Sequence, residues 1–390
     1  MDRAVHAACQ RLPSDDRALA IAIAGDALRW LGPLDALIDS AAQQTLPDDS
    51  KVRAVLRIAL VQLLHMDIPP HAVVATALGL LVGGPRRLTH AILSRAQRDG
   101  WTLPTPPPLP APVAARWNEA WGAEMAAAAE FAWVEPPPLD LRFKTPTDAV
   151  NFADGEALAP LHRRLARAGR VEQIPGYAEG AWWVQDLAAS IAADLLGPGE
   201  GRTVLDLCAA PGGKTMQLAS AGWQVTAIDS SAKRLERLSE NLARTRLEAA
   251  LVAADLKHYE PVEQADAVLL DAPCSATGTF RRHPDVLHRI GAGDIEVLAQ
   301  LQTDLLARAA AWVKPGGMLV YATCSLEPAE GEAIITAFLA ANPDWRIDPA
   351  LSNEVPAGVK IAAEGWVRTL PGQEPALDGF FIARLVAPTT

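Results

Sequence analysis

Between residues 15 and 98 apolar side chains return every three or four positions, the spacing that gathers them on one face of a helix. Leu19, Ile23, Ala27 and Trp30 form one stripe; Val52, Val55, Leu56, Ala59 and Leu63 form a second. Ser14 is placed to cap the first helix, and Asp15 and Asp16 behind it suit the positive end of its dipole. Pro69-Pro70 and Gly83-Gly84-Pro85 punctuate the helices that follow. The pattern predicts a compact all-α domain over residues 1–100. It stops at Leu103 to Pro112, where six of ten residues are proline, so residues 101–112 read as a semi-rigid linker.

From about residue 204 the period changes. Short β-branched runs at Val204 to Cys208, Gln224 to Asp229, Ala250 to Asp255, Ala267 to Pro273 and Met318 to Ser325 read as strands. Helical stretches near Thr215 to Ala221, Ala232 to Thr245 and Asp294 to Val313 alternate with them. This alternation predicts a doubly wound α/β sheet over residues 201–390 whose ligand lies at the carboxyl ends of the strands. Residues 113–200 form a less regular approach subdomain, and its Trp117, Trp121, Trp133, Trp182 and Trp183 read as packing anchors rather than base-stacking platforms.

Half of the 390 residues are hydrophobic and 21% are charged, with no apolar run approaching 18 residues, so neither a membrane span nor wholesale disorder is expected. Met1 to Leu12 carries Asp2, Arg3 and His6 and lacks a secretory apolar block, which predicts a cytoplasmic protein. Cys9, Cys208, Cys274 and Cys324 are too scattered for a disulfide framework or a zinc site, so reduced thiols and no metal are expected. The net charge of −11 does not advertise a nucleic-acid partner, but it is uneven: residues 1–100 carry +1 and the remainder −12. RNA contact would then fall to local basic groups: Arg163, Arg164, Arg167 and Arg170 on one expected helix, Arg234, Arg237, Arg244 and Arg246 on another, and the pair Arg281 and Arg282. Each group also fits an ordinary solvated helix face.

The first chemical motif runs from Leu205 to Thr215, Leu-Asp-Leu-Cys-Ala-Ala-Pro-Gly-Gly-Lys-Thr. A strand passes through a turn of small residues into a helix, leaving backbone amides to face a ligand packed against Gly212 and Gly213. Neither the dinucleotide spacing GxGxxG nor the triphosphate spacing GxxxxGK[ST] is present. Asp229, ending the second strand, is placed to bond ribose hydroxyls, and Asp255, ending the third, to accept from an adenine amine. Either acid alone would serve equally as a helix cap.

The second and third motifs close the fourth and fifth strands: Asp271-Ala272-Pro273-Cys274-Ser275 and Tyr321-Ala322-Thr323-Cys324-Ser325. Two such strand ends open onto one crevice, so both cysteines can face one substrate. Carbon 5 of cytosine becomes nucleophilic only after attack at carbon 6, and a thiolate suits that attack. A proton must later leave carbon 5 so that the thiolate can be expelled, work for a second thiol or an associated water. Asp271 could bond ring N3 and the exocyclic amine, selecting cytosine over uracil, with Lys214 near the same ring. Cys208 reads as an inert buried thiol. Which of the other two cysteines attacks stays open at this point, because DNA cytosine-C5 methyltransferases use the cysteine of a Pro-Cys motif, usually followed by Gln.

These motifs resemble the RNA cytosine-C5 methyltransferases of the RsmB/Fmu/Sun family. The resemblance rests on residues 205–215, on 271–285 (DAPCSATGTFRRHPD), on 321–332 (YATCSLEPAEGE) and on 378–385 (DGFFIARL), extending upstream to Val184-Gln185-Asp186 and Leu139-Asp140-Leu141-Arg142. Residues 15–98 resemble the NusB-type RNA-binding domain. The resemblance implies a Rossmann-like class I S-adenosylmethionine-dependent methyltransferase domain preceded by an all-α NusB-like domain. It implies that Cys208, Ala209, Ala210, Pro211, Gly212, Gly213 and Lys214 line the methionine part of S-adenosylmethionine, that Asp229 holds its ribose and Asp255 its adenine, and that Asp271 lies between cofactor and cytosine. It further implies Cys324 as nucleophile, Cys274 as the releasing residue, and 16S ribosomal RNA as substrate of a monomeric enzyme. Transfer RNA or another ribosomal site, or an RNA-binding assembly factor with a non-catalytic methyltransferase fold, are the competing readings. Ala276 departs from the glycine many relatives carry.

Overall fold

The structure, a computed structural model, describes residues 8–9, 11–134, 137–166 and 169–389. It divides into two compact units: Met1–Asn118 with Ala126–Pro136 and Phe280–Arg289, and Glu119–Met125 with Pro137–Thr279 and Ile290–Thr390. The expected boundary at residues 101–112 therefore lies inside the first unit. The physical reason is packing. The Trp30 indole donates to the Pro104 carbonyl at 2.8 Å, and Leu109 is buried, so the proline-rich stretch is bound to the helices rather than spanning between domains.

The first unit contains the helices Ser14–Arg29, Leu31–Ala41, Lys51–Leu64, Pro70–Gly79 and Gly83–Arg98. Their apolar stripes meet in a core of Trp30, Leu34, Ile38, Leu56, Leu60 and Leu93. Two details differ from expectation. The first helix is preceded by Pro13 at the cap position, and Ser14 is already helical, its hydroxyl donating to Asp15 at 3.1 Å. Leu19 is exposed, because the helix turns its Ala27 and Trp30 end inward. Arg29 is buried; its guanidinium donates to the carbonyls of Trp133 at 2.8 Å and Arg281 at 2.9 Å, which ties the segment Phe280–Arg289 into this unit. Arg281 is itself buried and Arg282 half-buried, so this pair is not an open basic patch.

The second unit begins with a four-stranded antiparallel sheet in the order β2-β3-β1-β4, where β1 is Leu139–Phe143, β2 Glu156–Ala159, β3 His162–Leu165 and β4 Trp182–Val184. Arg163 and Arg164 lie on β3, not on a helix, since His-Arg-Arg-Leu pairs residue by residue with β1. Arg164 is bound to the buried carboxylate of Asp140 at 2.7 Å, and Arg163 donates to the Ala149 carbonyl at 3.0 Å. Arg170 precedes a short 3-10 turn. Arg167, like Asp2, Arg3 and His6, lies outside the described residues. Trp117, Trp133, Trp182 and Trp183 are all buried.

The main sheet has eight strands: β5 (Thr203–Leu207), β6 (Gln224–Asp229), β7 (Ala250–Ala253), β8 (Ala265–Asp271), β9 (Val313–Thr323), β10 (Arg346–Ile347), β11 (Val367–Thr369) and β12 (Phe380–Val386). Their order is β10-β12-β9-β8-β5-β6-β7, with β11 also on β12; β7 to β9 run parallel, and β12 is antiparallel to β9. Alternate residues face opposite cores: Leu205, Val268, Leu270 and Leu319 one way, Val204, Leu269, Val320 and Ala322 the other. Burial on both faces explains why these strands read as continuous apolar runs. The chain order reverses beside β5, which places the crevice at the carboxyl ends of β5 and β8.

Candidate active site

The turn after β5 is shaped by backbone conformation. Cys208 has φ +60° and Gly212 φ +104°. A side chain at Gly212 would be strained by that φ, and its Cβ would run into Leu238. Ala209 N–H donates to the Ile228 carbonyl at 3.1 Å, so the turn is pinned to the end of β6. The helix Gly213–Ser220 then starts with its amino end at the turn.

Asp229 is buried at the end of β6. Its carboxylate accepts from Ala210 N at 3.2 Å, from Ser231 N at 2.8 Å and from the Arg234 guanidinium at 2.7 Å. It thus braces the glycine turn against the next helix, and Arg234 is engaged here rather than free for RNA. On the same helix Arg244 donates to the carbonyls of Tyr177 and Trp182, a packing role, whereas Arg237 and Arg246 are exposed. Asp255 does not end its strand. Strand β7 stops at Ala253, and the exposed Asp255 carboxylate accepts from Lys257 N at 2.9 Å, opening a turn.

Lys214, buried, and Asp271, at the end of β8, form an ion pair at 2.7 Å. Burial alone would lower the Lys214 pKa, but the Asp271 carboxylate, with Cys324 and Asp206, more than offsets it and the pKa is raised; the ammonium stays charged. Cys274 and Cys324 are brought together, Sγ to Sγ 3.4 Å, and both remain partly exposed. The hydrogen bond with Cys324, then burial, then the charges of Cys324 and Glu330 hold the Cys274 thiol well above its ordinary value. Cys208 is pushed up to about 12, chiefly by burial and then by the surrounding aspartates, which fits the inert thiol expected there. Ala276, following the Pro-Cys loop, has φ +58°, which gives the physical reason a glycine suits this position.

Two residues of this site escaped the sequence reading. Asp206, on β5, is fully buried; Thr215 donates to one of its oxygens at 2.5 Å and the other oxygen is buried with no hydrogen-bond partner. Burial raises its pKa to about 7. The sequence signal was an acid inside an apolar strand buried on both faces. Glu330 is also fully buried, and accepts from residues of both cysteine loops. Its signal was weaker, a serine directly after each cysteine.

Two family models match the chain, the NusB family over residues 1–82 and 16S rRNA methyltransferase RsmB/F over residues 193–386. A ribosomal RNA small subunit methyltransferase B of Pseudomonas syringae pv. tomato is 38% identical, across 95% of this chain and 89% of the relative. The chain belongs to the RsmB/F family of 16S rRNA methyltransferases. The enzyme of the same name from Pseudomonas putida is 37% identical across 99% of this chain and 94% of its own length. Among solved structures, a methyltransferase homolog protein from Pyrococcus horikoshii is 29% identical with a TM-score of 0.59, covering 75% of this chain and 98% of that one. The expected architecture, a Rossmann-like S-adenosylmethionine-dependent methyltransferase domain preceded by a NusB-type helical domain, is that of the family. Among the described residues no helix is long and apolar enough to cross a membrane, and no group of three or more His, Cys, Asp or Glu could hold a metal ion.

The residues at the ends of β5 and β6 fit S-adenosylmethionine. Asp206 offers an unpartnered acceptor beneath the glycine turn, suited to an ammonium or amide N–H, and the positive φ values at Cys208 and Gly212 hold the backbone open beside it.

Proposed function

We propose that this enzyme methylates carbon 5 of a cytosine in 16S ribosomal RNA, with Cys324 as the nucleophile and Cys274 as the releasing residue. The observation that carries the reading is the meeting of the two sulfurs at 3.4 Å within a site that also holds the Lys214–Asp271 pair. Cys208 to Lys214, with Asp206 below them and Asp229 behind, would hold S-adenosylmethionine, which supplies an electrophilic methyl group to carbon 5. Asp255 would reach the adenine from its exposed turn.

Cys324 Sγ, as thiolate, forms a bond to ring carbon 6, and the electron pair moves through the ring to make carbon 5 nucleophilic. The Asp271 carboxylate accepts from the exocyclic amine, a group uracil lacks, and the Lys214 ammonium offsets the negative charge that attack places on the ring. Once carbon 5 is fully substituted, its proton passes to an associated water. The C6–Sγ bond then breaks, its electrons return to Cys324, and the Cys274 S–H donates to the departing thiolate. The target base must be unstacked to enter such a crevice.

Cys324→Ala should abolish 5-methylcytosine in 16S ribosomal RNA, read by bisulfite mapping, while S-adenosylmethionine affinity stays within about twofold. Cys274→Ala should leave RNA covalently attached at Cys324, seen as a retarded band on a denaturing gel. Full methylation by the Cys324 variant would overturn the assignment, and free methylated RNA from the Cys274 variant would overturn the releasing role.

A further inference from the structure

Glu330 lies on the 3-10 turn Pro328–Glu330 and is fully buried. One carboxylate oxygen accepts from Ser275 N at 2.9 Å and from Gln302 Nε2 at 2.9 Å. The other accepts from the hydroxyls of Ser275 and of Ser325, the latter at 2.5 Å. Its backbone carbonyl accepts from Tyr321 at 3.0 Å and Thr323 at 3.1 Å, on the strand leading to Cys324. Ser275 and Ser325 directly follow the two cysteines, and their own hydroxyls lie 3.1 Å apart. A single side chain therefore joins two loops that are 50 residues apart in sequence. The Gln302 amide, on the helix Ala292–Ala311, also reaches the Pro273 carbonyl at 2.9 Å, so the Pro-Cys loop is held on both sides of Cys274.

This carboxylate is unusual in what surrounds it. Its partners are hydroxyls and amides, with no cation among them, so its charge is stabilised by hydrogen bonds and remains felt nearby. The other charged and titratable groups near the cysteines are Lys214 and Asp271 from the glycine-turn helix and β8, Tyr321 from β9, and Arg368 from β11, whose buried guanidinium donates to the Ser325 carbonyl at 2.5 Å and is paired with Glu332. The Lys214 cation interacts with Cys324, whereas Glu330 raises the pKa of Cys274 along with burial and the Cys324 hydrogen bond.

Building on the cytosine reading above, we infer that Glu330 is a positioning residue: it clamps the Pro-Cys and Thr-Cys loops at one spacing and, lying against the Pro-Cys loop, favours retention of the proton on Cys274 when one of the two sulfurs gives up its own. Cys274 then carries the S–H and Cys324 the electron pair that attacks. The clamp makes the two thiols unequal before RNA arrives. That inequality is the division of labour, which sequence alone left open.

The test uses the full-length enzyme without RNA. Rates of iodoacetamide alkylation at Cys274 and Cys324 are read by peptide mass spectrometry for the wild type, Glu330→Gln and Ser325→Ala. The wild type should react faster at Cys324. Glu330→Gln retains the shape but removes the charge, and should cut the Cys324 preference by about tenfold, the effect of one pKa unit on thiolate fraction. Ser325→Ala removes one tie and should lower the preference less. With RNA added, kcat for Glu330→Gln should fall about tenfold or more while both KM values stay within about twofold, as loss of a positioned proton predicts. A wild type more reactive at Cys274 would overturn the inference. So would a Glu330→Gln enzyme with unchanged preference and kcat; should that variant fail to fold, an unchanged preference in Ser325→Ala would do the same. Because alkylation needs no RNA, its outcome is separate from failure of the cytosine assignment, which would show as methylation surviving Cys324→Ala.

Discussion

Asp140 and Asp206 are both aspartates with no exposure at all, yet they are treated in opposite ways. On the small antiparallel sheet, Asp140 receives two bonds from Arg164, at 2.7 and 2.8 Å, and a third from Leu187 N at 3.3 Å. On the main sheet, Asp206 receives Thr215 and leaves one oxygen bare. Near the strand ends Cys208 and Ala276 also adopt left-handed angles that side chains other than glycine rarely take, as Asp67, Glu200 and Arg246 do elsewhere. Regions that hold the fold neutralise their buried charge. The strand ends proposed to hold S-adenosylmethionine keep an unfilled acceptor and locally strained backbone, at a cost to stability.

The largest effect should come from removing the partner in the satisfied case. Arg164→Ala leaves Asp140 buried and uncompensated, and should cost about 3–5 kcal/mol in chemical denaturation. A loss below about 1 kcal/mol would erase the contrast. Asp206→Asn should do the reverse, weakening S-adenosylmethionine binding by about tenfold, the worth of roughly one charged hydrogen bond, without such a loss of stability. Its pH signature sharpens the point. The folded-state pKa of about 7 lies above the ordinary 3.8, so the folded protein holds this proton longer than the unfolded one, and stability attributable to the group falls as pH rises through that window. Melting curves of Asp206→Asn between pH 4 and pH 7.5 should lack that decline. The smallest effect belongs to Ala276→Gly, which should gain about 1 kcal/mol by relieving the +58° φ.

The main sheet was legible because its strands are buried on both faces and end at small or acidic residues; strand β6 and the helix Ala232–Thr245 match their expected ends residue for residue. The smaller sheet was not. His-Arg-Arg-Leu has no apolar alternation, and what makes it a strand is pairing with Leu139–Phe143 some twenty residues earlier, together with the Asp140 carboxylate waiting there. Proline composition likewise says extended chain but not what the chain lies against, and here Trp30 decided it. In the site, Cys274 and Cys324 announced themselves through strand-end motifs, and the structure brings them into contact. Asp255 kept its neighbourhood but lost its strand, because β7 ends two residues sooner. Asp206 and Glu330 needed three dimensions, since their meaning lies in what does or does not touch them.

The segment Phe280–Arg289 carries a consequence for engineering. It follows the Pro-Cys loop in sequence but belongs to the compact unit of the N-terminal helices, held there by the buried Arg29 side chain. A catalytic fragment starting after the proline-rich stretch would keep Trp117 against Phe280 but lose Arg29 and Leu28, which bond to Arg281 and His288 of this segment. Exchanging helical domains between relatives would therefore require transplanting this segment too, so that the modular unit of inheritance is discontinuous along the gene.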